Sequence, residues 1–185
     1  MADAELAALQ DRVRALELEI SRQRDLRDVE DVLVRYSRAL DWLDDKALEQ
    51  VFWDDAEIDY GFFKGTGKEF RPVLMQVERS VGRRFHFTSQ VKIAMTADVA
   101  EVESYNISLA CESLSASDKP IQQFFGFYLD RIERRGGRWA IARRKHLHLA
   151  GSWIPEVATS GPLASLNKIG ETSTSHRDFR DLNRS

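Results

Sequence analysis

From Arg84 to Trp153 the spacing of apolar residues is extended rather than helical, and this limits the fold more than any other feature of the chain. Four long candidate strands follow one another: RFHFTSQVKIAM, VAEVESYNISLACESL, IQQFFGFYLDRIERR and RWAIARRKHLHLAGSW. Breaks fall at Thr96-Ala97-Asp98, at Ser115 to Pro120 and at Gly136-Gly137. Gly-Gly between two long strands is a strong hairpin signal, because the favoured two-residue turns need positive φ. Helices first and then a run of antiparallel strands predicts an α+β domain with its helices packed on one sheet face.

The helical part begins at residues 3–27, where Leu6, Leu9, Val13, Leu16 and Ile20 step by 3, 4, 3 and 4, a heptad seam. Two and a half heptads are too short for a stable coiled coil alone. The segment is either an oligomerisation arm or a helix lying across its own domain. Asp28 either caps a fresh helix or continues the first. Val29, Val32, Leu33, Tyr36, Leu40 and Leu43 then mark a helix with one buried face. Asp44-Asp45 signals a turn and N-cap for a short helix, Lys46 to Phe52. Trp53-Asp54-Asp55 leads into the strand AEIDY, and Gly61, Gly65 and Gly67 make the next loop flexible. That loop is no phosphate cradle, since Glu69 stands after Gly67-Lys68 where a P-loop carries Ser or Thr. Glu69 to Val81 reads as a third helix, with Pro72 near its first turn. Beyond Ile154 the chain is polar, with scattered anchors at Leu163, Leu166, Ile169 and Phe179 that order against a neighbouring subunit. The expected organisation is an N-terminal helical arm (1–27), a single domain (28–154) and a polar tail (155–185).

With 185 residues, 43% of them apolar and 31% charged, the chain is one soluble globular domain. A net charge of −3 argues against nucleic-acid binding, which needs a basic footprint. Arg83-Arg84, Arg134-Arg135 and Arg143-Arg144-Lys145 read as solvated strand edges. No apolar run approaches the ~18–20 residues that span a bilayer, and the N-terminus lacks a signal peptide's apolar centre, so a cytoplasmic location is expected. The single Cys111 excludes an internal disulfide and reads as a small core residue. His146 and His148 share a strand face, yet two such histidines need a third convergent ligand to hold a metal, and none is identified.

RYSRALDWLD, the strand IDY, the H-x-T-x-Q segment from His86, Ser104-Tyr105, GFYLDRI and WAIARR together resemble the nuclear transport factor 2-like fold. The similarity is greatest to its SnoaL-like branch, which includes scytalone dehydratase and the bile-acid 7α-dehydratases, and covers residues 28–153. The resemblance implies a cone-shaped α+β barrel: three helices on a curved, mostly antiparallel sheet, here with an extra N-terminal helix. It also implies an Asp–His dyad, which falls on Asp41 and His86, and a substrate-binding tyrosine on the first strand, which falls on Tyr60. Tyr36 matches a pocket tyrosine of the bile-acid enzymes. A last-strand arginine falls on Arg143 or Arg144, with Arg143 taken here. The second catalytic histidine of scytalone dehydratase is missing, its neighbourhood being Ala110-Cys111-Glu112, and its pocket asparagine falls near Tyr128. A scytalone-type substrate is therefore not expected.

Removing a proton from carbon beside a carbonyl needs a base near neutrality and a donor to the oxygen. Histidine supplies the base, a buried carboxylate on its other nitrogen fixes the tautomer, and a tyrosine hydroxyl can donate to the enolate. Each residue also has a plainer reading: Asp41 a solvated helix residue, Tyr60 a core tyrosine, His86 an exposed strand residue. Strict alternation puts His86 with Thr88, Gln90 and Lys92, opposite Phe85, Phe87, Val91 and Ile93, so a core-facing His86 requires a bulge or a pocket on the polar face. The expected function is a cofactor-independent dehydratase-like lyase or isomerase. Its substrate would be a hydrophobic, cyclic, aromatic, polyketide- or steroid-like small molecule, bound by Tyr36, Tyr128 and Arg143 in a homo-oligomer, dimer or trimer. The alternatives are a non-catalytic partner like the small subunit of ring-hydroxylating dioxygenases, or a ligand-binding scaffold.

Overall fold

The computed structural model describes residues 2–111, 120–155, 161, 165 and 169–182. Helix α1 (Ala2–Asp41) is continuous through Asp28, so the arm and the first domain helix are one element. Its residues 3–24 are exposed on every side, including the whole Leu6–Ile20 seam, and burial begins at Val29. The seam therefore does not lie across its own domain. The short helix α2 (Asp45–Glu49) starts where Asp44 accepts a hydrogen bond from the Ala47 amide at 3.0 Å. Strand β1 (Phe52–Asp59) and strand β2 (Lys64–Thr66) form a hairpin, so the glycine loop contains a strand that alternation does not reveal.

Helix α3 (Gly67–Arg79) begins at a capping box: the Glu69 amide donates to Thr66 Oγ1, and Thr66 N donates to the Glu69 carboxylate at 3.0 Å. Its first residue must be glycine, because a Cβ there would lie 2.2 Å from the Trp53 carbonyl oxygen. Strands β3 (Arg83–Thr96), β4 (Val99–Cys111), β5 (Ile121–Arg135) and β6 (Arg138–Ile154) complete one six-stranded sheet. Its order is β2-β1-β6-β5-β4-β3, antiparallel except for the β1–β6 pair. The sheet is curved and does not close, and the helices fill its concave side, as the α+β expectation requires. The core there is built by Val29, Val32, Leu33 and Leu40 of α1, Phe70 and Leu74 of α3, and Ala100, Val102, Ile132 and Ile141 of the sheet.

Two bulges decide what faces that core. In β3, Ser89 pairs with Tyr105 and Lys92 with Glu103, so one extra residue is inserted, and Gln90 takes a φ of 49° to absorb it. Before the bulge His86 and Thr88 point inward while Phe85 and Phe87 are exposed; after it Ile93 and Met95 pack against the core. In β6, Ile141 pairs with Ile132 and Arg143 with Arg131, which inserts Ala142 and swaps the phase of the residues that follow, as far as a second register shift between His148 and Ala150.

The described end of the tail packs on its own chain and not only on a neighbour. Residues 169–182 fold back on the end of α1, where Trp42 meets the rings of His176 and Phe179 and Arg38 donates to the Arg180 carbonyl at 2.8 Å. His176 is thereby largely covered. Leu163, Leu166 and most of the Ser115–Pro120 break lie outside the described residues.

Candidate active site

Asp41 ends α1 and His86 stands on the inward phase of β3, and the two meet: His86 Nδ1 lies 2.8 Å from Asp41 Oδ1. The β3 bulge provides this, and Ser37 reinforces it by a 3.2 Å hydroxyl contact to Thr88. From behind, the Thr172 hydroxyl of the tail donates to the Asp41 carbonyl oxygen. On the other side of the ring, His86 Nε2 lies 3.5 Å from Oε1 of Glu78, a buried residue of α3. Burial by itself pushes the imidazole down, but the bonds to Asp41 and Glu78 outweigh it and hold the ring up at about 9. At neutral pH His86 is therefore an imidazolium with a proton on each nitrogen.

The dyad opens on a cavity of about 860 Å³. His86, Glu78, Ser108 and Asn106 form one wall, Leu74, Val77, Val81 and Leu109 give it an apolar lining, and Tyr36, Tyr60 and Tyr128 form the floor. Tyr36 and Tyr60 share a hydrogen bond of 2.7 Å between their hydroxyls. Burial raises all three phenols above their ordinary value, so they stand as neutral donors. Tyr60 stacks on His146 at a centroid distance of 5.0 Å, and burial with the nearby Arg144 charge lowers that histidine to about 4. His146 is thus an uncharged part of the wall. Among the described residues no group of three His, Cys, Asp or Glu side chains is arranged to hold a metal ion.

Under the floor lies an ion pair with no solvent exposure. Arg144 donates from Nε to Asp130 Oδ1 at 2.7 Å and from Nη2 to Oδ2 at 2.6 Å. Its guanidinium is clamped between the rings of Tyr36 and Tyr128, 4.2 and 4.1 Å from their centroids. Burial opposes the charge, and Asp130 more than offsets it, raising the Arg144 pKa. This corrects the placement of Arg143. Strict alternation from Trp139 and Ile141 points Arg143 inward, but the extra Ala142 turns it out toward Glu101, 3.7 Å away, and puts Arg144 in its place.

His86, Tyr60, Tyr36 and Tyr128 thus line one cavity, Asp41 stands behind His86, and Arg143 is not among them. Glu78, Asp130 and Asn106 were missed by sequence reasoning, although signals existed for two of them. Glu78 continues the 4-residue spacing of Phe70 and Leu74 along the buried stripe of α3, and Asp130 shares its strand phase with Tyr128 and Ile132. A carboxylate on a buried stripe needs a partner, and that need marks it.

The fold recurs in solved structures. A scytalone dehydratase-like protein of Novosphingobium aromaticivorans superposes with a TM-score of 0.65 at 18% identity, over 85% of this chain and 98% of its own. LinA gives 0.67 at 18% identity over 78% and 99%, and the type-3 hexachlorocyclohexane dehydrochlorinase of Novosphingobium barchaimii gives 0.66 at 16% over the same shares. No curated protein matches the chain in sequence. Residues 21–145 match the SnoaL-like domain family, and the chain belongs to that family.

Proposed function

We propose that the cavity is the active site of a cofactor-independent, dehydratase-type lyase or isomerase acting on a hydrophobic cyclic small molecule. The single observation that carries this reading is the 2.8 Å Asp41–His86 contact at the edge of a tyrosine-floored cavity. Asp41 fixes the ring through Nδ1 and stabilises its charged form, leaving Nε2 to exchange a proton with the substrate. Tyr60, supported by Tyr36, donates to the oxygen on which charge develops. The apolar lining suits a ring-bearing substrate of aromatic, polyketide or steroid type. Dehydratase and dehydrochlorinase, the names borne by similar structures, both denote eliminations.

The test is a screen of cyclic ketones and hydroxyketones for solvent deuterium exchange or loss of water. Asp41→Asn and His86→Ala should each cost about 10²–10⁴-fold. Wild-type rates in both variants would sink the dyad. A partner-subunit role is the second reading, favoured by the likeness to an aromatic ring hydroxylase-like protein of Novosphingobium aromaticivorans, with a TM-score of 0.59; it requires co-purification with a larger iron-containing chain. Assembly into a homo-oligomer is proposed from two exposed apolar surfaces, the seam of α1 and the outer sheet face with Phe85, Phe87, Tyr105 and Leu147.

A further inference from the structure

We propose that Glu78 is the base that takes the proton from substrate carbon, and that His86 is the acid that protonates the leaving group. The inference rests on the elimination reading of the same cavity and divides its acid–base work between two residues. Glu78 lines the cavity, is buried, and faces His86 Nε2 with Oε1 at 3.5 Å. Its second oxygen, Oε2, faces the Arg84 guanidinium, with Nε 3.9 Å away. Arg84 is itself held by Thr172 and by the Val81 carbonyl. Every element packed on the imidazole is then accounted for. α1 brings Asp41, α3 brings Glu78, β3 brings Arg84, β4 brings the uncharged Ser108, and the tail brings Glu171 toward Arg84. In direct contact, Asp41 and Glu78 face the imidazolium, and Glu78 also faces Arg84.

This arrangement makes His86 a poor base in its resting state. Nε2 already carries a proton, shared toward Glu78, and the ring surrenders it only as pH passes about 9. Glu78 Oε1 already stands on the cavity as the acceptor in that contact. The cycle closes without an outside proton. A Glu78 oxygen takes the proton as the C–H bond breaks; its electron pair forms the C=C bond; and the C–O bond breaks with the oxygen taking the Nε2 proton as water leaves. The site is left with protonated Glu78 and neutral His86. Transfer from Glu78 Oε1 to His86 Nε2, across the same 3.5 Å contact, restores both. Asp41 holds the ring in place through either charge state.

The test uses the full chain and two readouts. Nitrogen-15 NMR of the imidazole should show His86 titrating near 9 in the wild type and at least about one pH unit lower in Glu78→Gln. The same midpoint in both proteins overturns the contact. The second readout is the ring opening of 5-nitrobenzisoxazole, in which a base removes an aromatic C–H proton as the N–O bond breaks and a stable phenolate leaves without needing an acid. Glu78→Gln should lose about 10²-fold or more, and should fall further than His86→Ala. The wild-type rate should lie on a plateau across about 9 rather than climb through it. A rate that climbs there, with His86→Ala hit harder than Glu78→Gln, overturns the Glu78 assignment and leaves the dyad standing. No acceleration by the wild type, or none lost in either variant, overturns the elimination reading and the inference together.

Discussion

Replacing Asp130 by Asn removes one charge from beneath the floor of the cavity and leaves the shape nearly unchanged. Arg144 has no exposed surface, its pKa is raised, and its Nη1 has no hydrogen-bond partner among the described residues even with Asp130 in place. The variant therefore strands a buried cation. Breaking such a pair costs about 3–5 kcal/mol, and the retained amide oxygen, which still accepts one bond, places the expected loss near the lower end, about 3 kcal/mol. At about 2–4 °C per kcal/mol for a chain of this size, the melting temperature should fall by about 6–12 °C. Urea unfolding followed by circular dichroism, at one fixed protein concentration, measures it. Replacing both partners at once, as Asp130→Leu with Arg144→Met, should recover most of the loss, because the desolvation cost of both charges disappears with them. A loss below about 1 kcal/mol for Asp130→Asn, the scale of an exposed pair, would refute the argument that this cation depends on its buried partner.

Three further outcomes follow from the geometry. The imidazole of His86 is held at about 9 against a reference near 6.5, so its contribution to stability is fully present below about 6.5 and is lost as pH rises through about 9. Its size is on the order of 3 kcal/mol, and unfolding at about pH 6 and about pH 10 should show it in the wild type and a smaller change in Asp41→Asn. Gly67→Ala drives a Cβ to 2.2 Å from a backbone oxygen and should cost about 1–3 kcal/mol in a thermal melt, whereas Gly65→Ala, whose new Cβ meets side-chain ends at 3.0 Å, should cost less. Deleting residues 1–24, of which 3–24 are exposed in the single chain, should lower the mass seen by light scattering; an unchanged mass would remove the arm from the assembly.

The order of helices and strands was legible because it depends on spacing alone, and spacing is local. What was not legible depended on single inserted residues. Nothing near Gln90 announces a bulge: the residue is not glycine, and its φ of 49° is imposed by pairing with β4. The same holds for Ala142, whose insertion decides between two adjacent arginines. An error of one residue in phase moves a side chain across the sheet, so site residues on β3 and β6 were less certain than the strands carrying them. On helices the difficulty is different. Asp41 was found through the family resemblance carried by RYSRALDWLD, while Glu78 was passed over because a glutamate in an amphipathic helix usually faces water. The tail was misread for want of any periodic signal, although Trp42 at the end of α1 needed something to cover it.

The two charged groups around the cavity also imply how a substrate would lie. Each pairs opposite charges in contact, Asp41 and Glu78 with His86 and Arg84 on one wall, Asp130 with Arg144 below the floor. What distinguishes them is access. The Arg144 charge is sealed behind Tyr36 and Tyr128 and reaches the cavity through their rings, which keeps it from binding an anion directly and makes the tyrosine hydroxyls better donors. The His86–Glu78 contact opens on the cavity itself. Under the elimination reading a carbonyl oxygen then belongs at the Tyr36–Tyr60 pair, where neutral donors meet developing negative charge. The reacting carbon and its leaving group belong at the His86–Glu78 wall, where a proton can be accepted and another released. The opposite orientation would put the reacting C–H bond at the tyrosine floor, where three neutral phenols offer donors and, among the described residues, no carboxylate lines the cavity to accept its proton.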